Sequence, residues 1–209
     1  MVAPLSLGID IGGTFTDLVI LDPSDGRAVI WKESTTPDDP SRGAMLGLAR
    51  LLEKGGIAPA SIGRVVHATT LFTNALIERK GAATGLLTTA GFADVLEIGR
   101  ERKYELYDLF LEMPKPLVPR PWRREAIERL APDGKVETPL DTKAMLHEVE
   151  FLAQQGITSL AICFLHAYAN PAHEQLAAEL IARHFPGMSV TLSSDIAPEI
   201  REYPRCVTA

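Results

Sequence analysis

Apolar and polar positions alternate near the start of the chain. Leu5, Leu7, Ile9 and Ile11 are separated by Ser6, Gly8 and Asp10, the period-2 pattern of a strand with one apolar face. Gly12-Gly13 marks a turn, and the β-branched run Thr14 to Leu21 predicts the second arm of a hairpin. A third strand is expected over Ala28 to Trp31, after the turn Asp22-Pro-Ser-Asp-Gly26. The pattern then changes period. Asp39 with Pro40 starts a helix whose stripe is Ala44, Leu48, Leu51 and Leu52, ending at Gly55-Gly56. Arg64 to Ala68 reads as a strand, Leu71 to Arg79 as a helix closed by Gly81, Thr84 to Thr88 as a strand, and Phe92 to Ile98 as a helical turn or two.

Between Gly99 and Arg124 the periodicity breaks, and four prolines predict a loop or lid over 99–124. Order is expected again near Ala126. Asp141 caps a helix with Met145, Val149 and Leu152 inward and Gly156 at its end. Ile157 to Leu165 is nearly all apolar, as in a central strand. Asn170-Pro171 opens a helix with Leu176, Ala177, Leu180 and Ile181 inward, followed by a strand over Met188 to Leu192. This β-helix-β unit implies a parallel pair. The fold class predicted is α/β, a mixed sheet with N-terminal antiparallel hairpins and flanking helices.

The chain has 209 residues, 21 basic against 27 acidic, and a net charge of −6, which lacks the basic footprint of a nucleic-acid-binding protein. Its 46% hydrophobic content is that of a globular chain. No apolar run reaches the about 18 residues of a membrane span, and the N-terminus lacks a basic leader pattern. Two cysteines, Cys163 and Cys206, make neither a disulfide framework nor a cysteine-based zinc site. Cys163, inside an apolar run, reads as a small core residue. A soluble cytoplasmic location is expected.

The segment with most chemistry is Gly8-Ile-Asp-Ile-Gly-Gly-Thr-Phe-Thr-Asp17. A bare Gly-Gly turn is an ordinary hairpin tip. With Asp10 before it and Thr14, Thr16 and Asp17 after it, the tip suits phosphate: Gly12 and Gly13 leave backbone N–H groups open, and the hydroxyls of Thr14 and Thr16 add donors. Asp10 can hold a magnesium ion through water. The loop is neither a Walker A sequence nor a G-x-G-x-x-G fingerprint. It resembles the first phosphate loop of the actin-like ATPase and sugar kinase superfamily, which implies one lobe of a ribonuclease H-like fold.

His67-Ala-Thr-Thr leaves a strand and enters a helix whose N-terminal end could receive an anion. Taken alone, the segment reads first as a capping Thr69 or Thr70 beside a half-buried histidine. Arg100, Arg102 and Lys103 near Tyr104 and Tyr107 could bind a small anionic or carbonyl-bearing molecule, or form a solvated loop. His166 and His173 do not have a metal-ligand spacing, and surface or capping roles are expected for them.

In order along the chain, IDIGGTFTD (9–17), HATTLFTNALIERKGA (67–82), LLTTAGFADVLEIGR (86–100), LYDL (106–109), PLVPR (116–120), LHAYANPAHE (165–174) and SSDIAPEIREYPR (193–205) resemble the N-terminal part of the hydantoinase A/5-oxoprolinase family. Ala68 stands where many members have glycine. The resemblance implies residues 1–209 as one N-terminal domain of a longer, oligomeric enzyme, completed by the rest of its chain or a second subunit. It implies ATP and Mg²⁺ as cofactors and a small cyclic amide as substrate: hydantoin, N-methylhydantoin or 5-oxoproline. Acetone carboxylase β-type subunits look similar here, so ketone activation is the alternative, as is a non-catalytic nucleotide-binding or assembly domain. On this reading Asp10, His67 and Arg100 are catalytic, Asp10 holds the metal, and Gly12, Gly13, Thr14, Thr16, Thr69 and Thr70 bind the nucleotide. The 209-residue chain alone is expected to be inactive.

Overall fold

The computed structural model describes residues 4–100 and 104–209. The span expected to be one domain divides into two compact units, residues 1–81 and 82–209. The anticipated mixed sheet is accordingly two four-stranded sheets and a small ribbon.

In the first unit β1 (Leu5–Ile11), β2 (Phe15–Leu21) and β3 (Ala28–Ser34) form the antiparallel meander that the alternation predicts. After α1 (Pro40–Gly55) comes β4 (Ile62–Thr69), which pairs parallel to β1, giving the order β3-β2-β1-β4. Asp39 caps α1 by accepting a hydrogen bond from the Ser41 N–H. Leu7, Leu18 and Ile20 project from one face of the sheet onto Leu51 of α1 and form this unit's core. A short helix, α2 (Leu71–Glu78), follows β4 directly. It ends earlier than Gly81 because Arg79 itself takes the left-handed conformation (φ 53°), which lets the Lys80 N–H reach the Ala75 carbonyl.

In the second unit β5 (Thr84–Thr89), β6 (Arg123–Ala126), β9 (Ser159–Cys163) and β10 (Ser189–Leu192) form a parallel sheet of order β10-β9-β5-β6. Helices cover both faces, so β5 and β9 are buried almost throughout. On one side α4 (Thr142–Gln154) and α5 (Ala172–His184) pack Met145, Val149, Leu152, Ala177 and Ile181 against Leu87, Leu160 and Ile162. On the other, α3 (Val95–Ile98) and Cys206 of α7 (Glu202–Thr208) meet Leu86, Ala161 and Cys163. Asp141 caps α4 through the Lys143 and Ala144 N–H groups. A ribbon of β7 (Arg129–Leu130) and β8 (Val136–Thr138) links β6 to α4, and α6 (Ser193–Ile196) follows β10.

The loop anticipated over 99–124 is shorter at its C-terminal end. Residues 104–119 contain neither helix nor strand, but Arg120–Trp122 is a 3₁₀ turn and β6 begins at Arg123. Arg102 and Lys103 lie outside the described residues. Arg123 is fully buried. Its guanidinium donates to the Val118 carbonyl at 2.7 and 2.8 Å and to the Ala93 carbonyl at 3.3 Å, and it pairs with Glu97. The PLVPR segment is thus fastened to α3 and the sheet by one arginine.

Polar matching runs through the interior of this unit. Glu174 accepts from Phe164 N (2.9 Å), Ser193 Oγ (2.6 Å), Ser194 N (3.0 Å) and Ser194 Oγ (2.7 Å). Arg205 donates to Ser193 Oγ at 3.1 Å and to the Phe164 carbonyl at 2.8 Å. His173 is buried against Glu128, with Nδ1 to Oε2 at 2.7 Å, and Glu128 also meets Thr89. The surface or capping role expected for His173 is therefore replaced by a buried pairing. No buried side-chain polar atom among the described residues lacks a partner.

Candidate functional site

The hairpin tip between β1 and β2 is a turn with a defined inside and outside. The Gly12 N–H is used within it, donating to the Phe15 carbonyl at 2.9 Å. A Cβ on Gly12 would stand 2.9 Å from that same carbonyl oxygen, so the turn closes only around glycine. Gly13 and Thr14, the next two residues, make no backbone hydrogen bond through their N–H groups among the described residues. These are consecutive open donors at a tip without side-chain cover, the arrangement that receives phosphate oxygens.

Thr14 is exposed, but Thr16 is not. The Thr16 hydroxyl is buried and lies 3.0 Å from Thr35 Oγ1, which in turn donates to the Gly12 carbonyl at 2.9 Å. Thr16 therefore braces the turn from inside rather than offering a donor to a ligand. The strand alternation explains this: Thr16, Leu18 and Ile20 share the covered face.

The second threonine pair also divides. Thr69 Oγ1 donates to the Ile11 carbonyl at 3.0 Å and accepts from the Leu71 N–H at 3.2 Å, so Thr69 ties β4 to the hairpin and caps the helix. Thr70 makes no side-chain bond of this kind, and its hydroxyl lies near Gly12, 3.9 Å from where a Cβ would be. Asn74, one turn into α2, places its amide nitrogen 2.8 Å from the Cβ position of Gly13. The N–H groups of Phe72 and Thr73 at the start of α2 have no carbonyl partner among the described residues. Backbone donors of the tip, the Thr70 hydroxyl and the Asn74 amide thus converge. Asn74 was not singled out in the sequence, where it reads as an ordinary helix residue.

Asp10 is exposed at the open end of β1, with no hydrogen bond or ion pair among the described residues. Directly across the ladder lies Asp17, on the same face. Two carboxylates so placed repel, and Lys32 relieves part of this by pairing with Asp17 at 2.6 Å. Asp10 keeps an unmatched negative charge. Among the described residues there is no group of three or more His, Cys, Asp or Glu that could hold a metal. One free carboxylate is, however, what magnesium needs when water and phosphate oxygens supply its other ligands.

His67 is not brought to Asp10. The parallel register sets His67 level with Ile9 and Ala68 level with Asp10, so by alternation His67 lies on the opposite face of the sheet. Arg100 belongs to the second unit, where it lines a cavity with Arg201 and Tyr203. No helix among the described residues is long and apolar enough to cross a membrane.

Residues 6–185 match the hydantoinase/oxoprolinase N-terminal region, and the chain belongs to that family. Caprolactamase subunit alpha of Pseudomonas jessenii is 36% identical over 97% of this chain and 30% of its own length. 5-Oxoprolinase 1 of Arabidopsis thaliana is 32% identical over 96% of this chain and 18% of its own length. Among solved structures, nucleotide-free acetone carboxylase superposes with a TM-score of 0.88 at 27% identity, over 97% of this chain and 31% of that one. ATP-dependent caprolactamase from Pseudomonas jessenii does so with 0.82 at 35% identity, over 96% and 30%. The chain thus spans about a third or less of the length of these proteins. The fold is α/β, one mixed and one parallel sheet with flanking helices, in the class that the hairpin pattern implies.

Proposed function

We propose that the chain is the nucleotide-binding N-terminal region of an ATP-dependent hydrolase that opens small cyclic amides. The observation carrying this reading is the hairpin tip, where the open N–H groups of Gly13 and Thr14 meet the Thr70 hydroxyl and the Asn74 amide. Names of relatives support it: a caprolactamase and a 5-oxoprolinase both act on lactams.

A cyclic amide is a weak electrophile. In the proposed reaction its carbonyl oxygen attacks the γ-phosphorus of ATP, the bond to the bridging oxygen breaks, and ADP leaves. Water then adds to the activated carbon, and the ring C–N bond opens as nitrogen takes a proton, leaving an acyl phosphate. A second water adds to that carbon and phosphate departs with the former carbonyl oxygen, giving the carboxylate. The tip's task is to hold the phosphates while charge develops on them, which fixed N–H donors do without reorganising. Each charge-assisted bond would contribute about 1.5–3 kcal/mol. Asp10 would hold Mg²⁺, which supplies charge neutralisation on the phosphates. Gly12 shapes the turn, while Thr16 and Thr69 act as braces. His67, on the far face, has no part in this step.

The TM-score of 0.88 with acetone carboxylase favours a second reading, ATP-driven activation of a ketone with bicarbonate. The test uses the longest native product of the gene, following phosphate release from Mg-ATP with hydantoin, N-methylhydantoin, 5-oxoproline, or acetone plus bicarbonate. Stimulation by a cyclic amide is expected; stimulation by acetone alone would move the protein to the second reading. In parallel, the 209-residue chain is expected to bind Mg-ATP without turnover and to lose binding in Asp10→Ala. Intact ATP binding in that variant would refute the assignment of the tip.

A further inference from the structure

The second unit carries a cavity of about 340 Å³ that the proposed chemistry of the hairpin does not use. It lies where the end of α3 meets the start of α7. Phe92, Val95 and Ile98 supply apolar lining, Tyr203 a partly buried phenol ring, and Arg100 and Arg201 two guanidinium groups. Neither guanidinium has an ion-pair or hydrogen-bond partner among the described residues.

Arg100 reaches this lining because of Gly99. That residue ends α3 with φ 60° and ψ −130°, a region open in practice to glycine alone, and the Tyr203 ring packs 3.8 Å from its Cβ position. Two acidic groups also line the cavity. Asp94 is already matched by Arg120 at 2.5 Å, whereas Glu202 has no described partner. Counting Glu202 against the two arginines leaves one positive charge over. A monoanion balances that excess, and an arginine fork fits the two oxygens of a carboxylate. The volume is at the lower end of the range for ligand pockets, about 300–1,000 Å³. It suits a ring or chain of a few carbons, and the apolar wall gives that hydrocarbon a surface.

We infer that this cavity is a binding site for a small organic carboxylate, held by Arg100 and Arg201 with its hydrocarbon part against Phe92, Val95 and Ile98. The carboxylate has two possible sources, a cyclic amide that carries one or an open-chain acid. The site stands in the second unit and does not depend on the nucleotide reading of the hairpin.

The experiment titrates the purified, ¹⁵N-labelled chain without nucleotide against 5-oxoproline, its carboxylate-free analogue pyrrolidin-2-one, glutarate and inorganic phosphate. Shifts are followed at the Gly99 and Tyr203 amides. Saturable binding of 5-oxoproline or glutarate is expected, with pyrrolidin-2-one at least roughly tenfold weaker. Preference for 5-oxoproline would assign the site to a ring-bearing ligand, and preference for glutarate to an open-chain acid; either supports the inference. Arg100→Gln and Arg201→Gln should each weaken binding by roughly 10- to 100-fold. Both residues are exposed, so the variants keep their core, and an unchanged Trp122 fluorescence transition verifies that. Asp10→Ala should leave carboxylate binding intact, which separates this inference from the fate of the hairpin assignment. Equal binding of pyrrolidin-2-one, indifference to both arginine changes, tighter binding of phosphate, or no binding of either acid would overturn it.

Discussion

Glu174→Gln is a sharp test of the buried polar network, since it changes one atom's chemistry and almost no volume. The carboxylate is fully buried and accepts four hydrogen bonds, two at each oxygen. An amide nitrogen accepts none. Whichever way the glutamine is turned, one backbone N–H, of Phe164 or of Ser194, faces another donor. The serine hydroxyl on that side can rotate and accept, but the N–H cannot. One stranded buried N–H costs about 1–3 kcal/mol, and the surviving bonds lose their charge assistance. The larger consequence falls on Arg205, also fully buried, whose link to the carboxylate runs through Ser193 Oγ at 3.1 and 2.6 Å. Removing the charge leaves that guanidinium without a near counter-ion, and breaking a buried pair typically costs about 3–5 kcal/mol. A hydroxyl bridges this pair, so its share is smaller than for a direct contact, and the two costs together come to about 3–5 kcal/mol. For a unit of this size that lowers Tm by roughly 10–20 °C. The two tryptophans fall one in each unit, so Trp122 fluorescence in a Trp31→Phe background reports the second unit in urea. The control is the cycle with Arg205→Met: Glu174→Gln should cost less there, because the stranded charge is gone. A loss below about 1 kcal/mol, or the same cost in both backgrounds, would refute the reasoning.

Three other expectations concern separate parts of the molecule. Gly12→Ala puts a methyl 2.9 Å from the Phe15 carbonyl oxygen, so the tip must move; Trp31 fluorescence should show the first unit losing about 1–3 kcal/mol, and unchanged stability would contradict the turn geometry. A hydrogen bond to Cys163 and burial together hold the Cys206 thiol well above the ordinary thiol range. Both thiols are buried, so neither cysteine should react with a thiol reagent at pH 8 until the protein is unfolded in urea, and two rapid equivalents from native protein would be the contrary result. The side-chain hydroxyl and then the N–H of Ser41 hold the Asp39 carboxyl below its usual range. Its contribution to α1 is therefore full above the unfolded Asp value near about pH 4 and fades as pH falls through the lower folded value. Asp39→Asn, which keeps a capping oxygen, should flatten that acid-side slope of first-unit stability; an identical slope would exclude Asp39 as its source.

Local elements were legible where local rules decide them. Asp39-Pro40 and Asp141 are caps in the fold as in the sequence, and the Met145–Val149–Leu152 stripe is wholly buried. The alternation of β1 and β2 put Leu7, Leu18 and Ile20 on the core side. What escaped depends on partners far along the chain. β6 opens with Arg123-Arg124-Glu125 and has no apolar signature, because its first arginine is matched by Glu97 of α3 and by the carbonyls of Ala93 and Val118. His173 finds Glu128 across 45 residues, a pairing no window of sequence contains. The division into two sheets was equally hidden, since β4 and β5 each satisfy a strand pattern whichever neighbour they join.

The candidate site illustrates the same distinction at finer grain. Polar residues of the recognisable segments separate according to whether the fold already uses their polar atoms. Thr16, Arg123, His173, Glu174 and Arg205 are buried and matched internally, and the Thr69 hydroxyl, though exposed, is already used in both directions, so these groups have no capacity left for a ligand. Asp10, the Gly13 and Thr14 N–H groups, the Thr70 hydroxyl, Arg100 and Arg201 are left open on elements that do not depend on them. Sequence can nominate both groups, because it does not show where the turn ends and the strand begins. That boundary decides the roles of two threonines: Thr14 lies in the turn and meets solvent, whereas Thr16 lies inside β2 on its covered face, where its hydroxyl meets Thr35. Strand parity separates His67 from Asp10 by the thickness of the sheet. Chemistry in this fold therefore belongs with the residues whose hydrogen-bonding capacity the structure leaves unfilled, and the variants most diagnostic of function are those that leave the internal matching untouched.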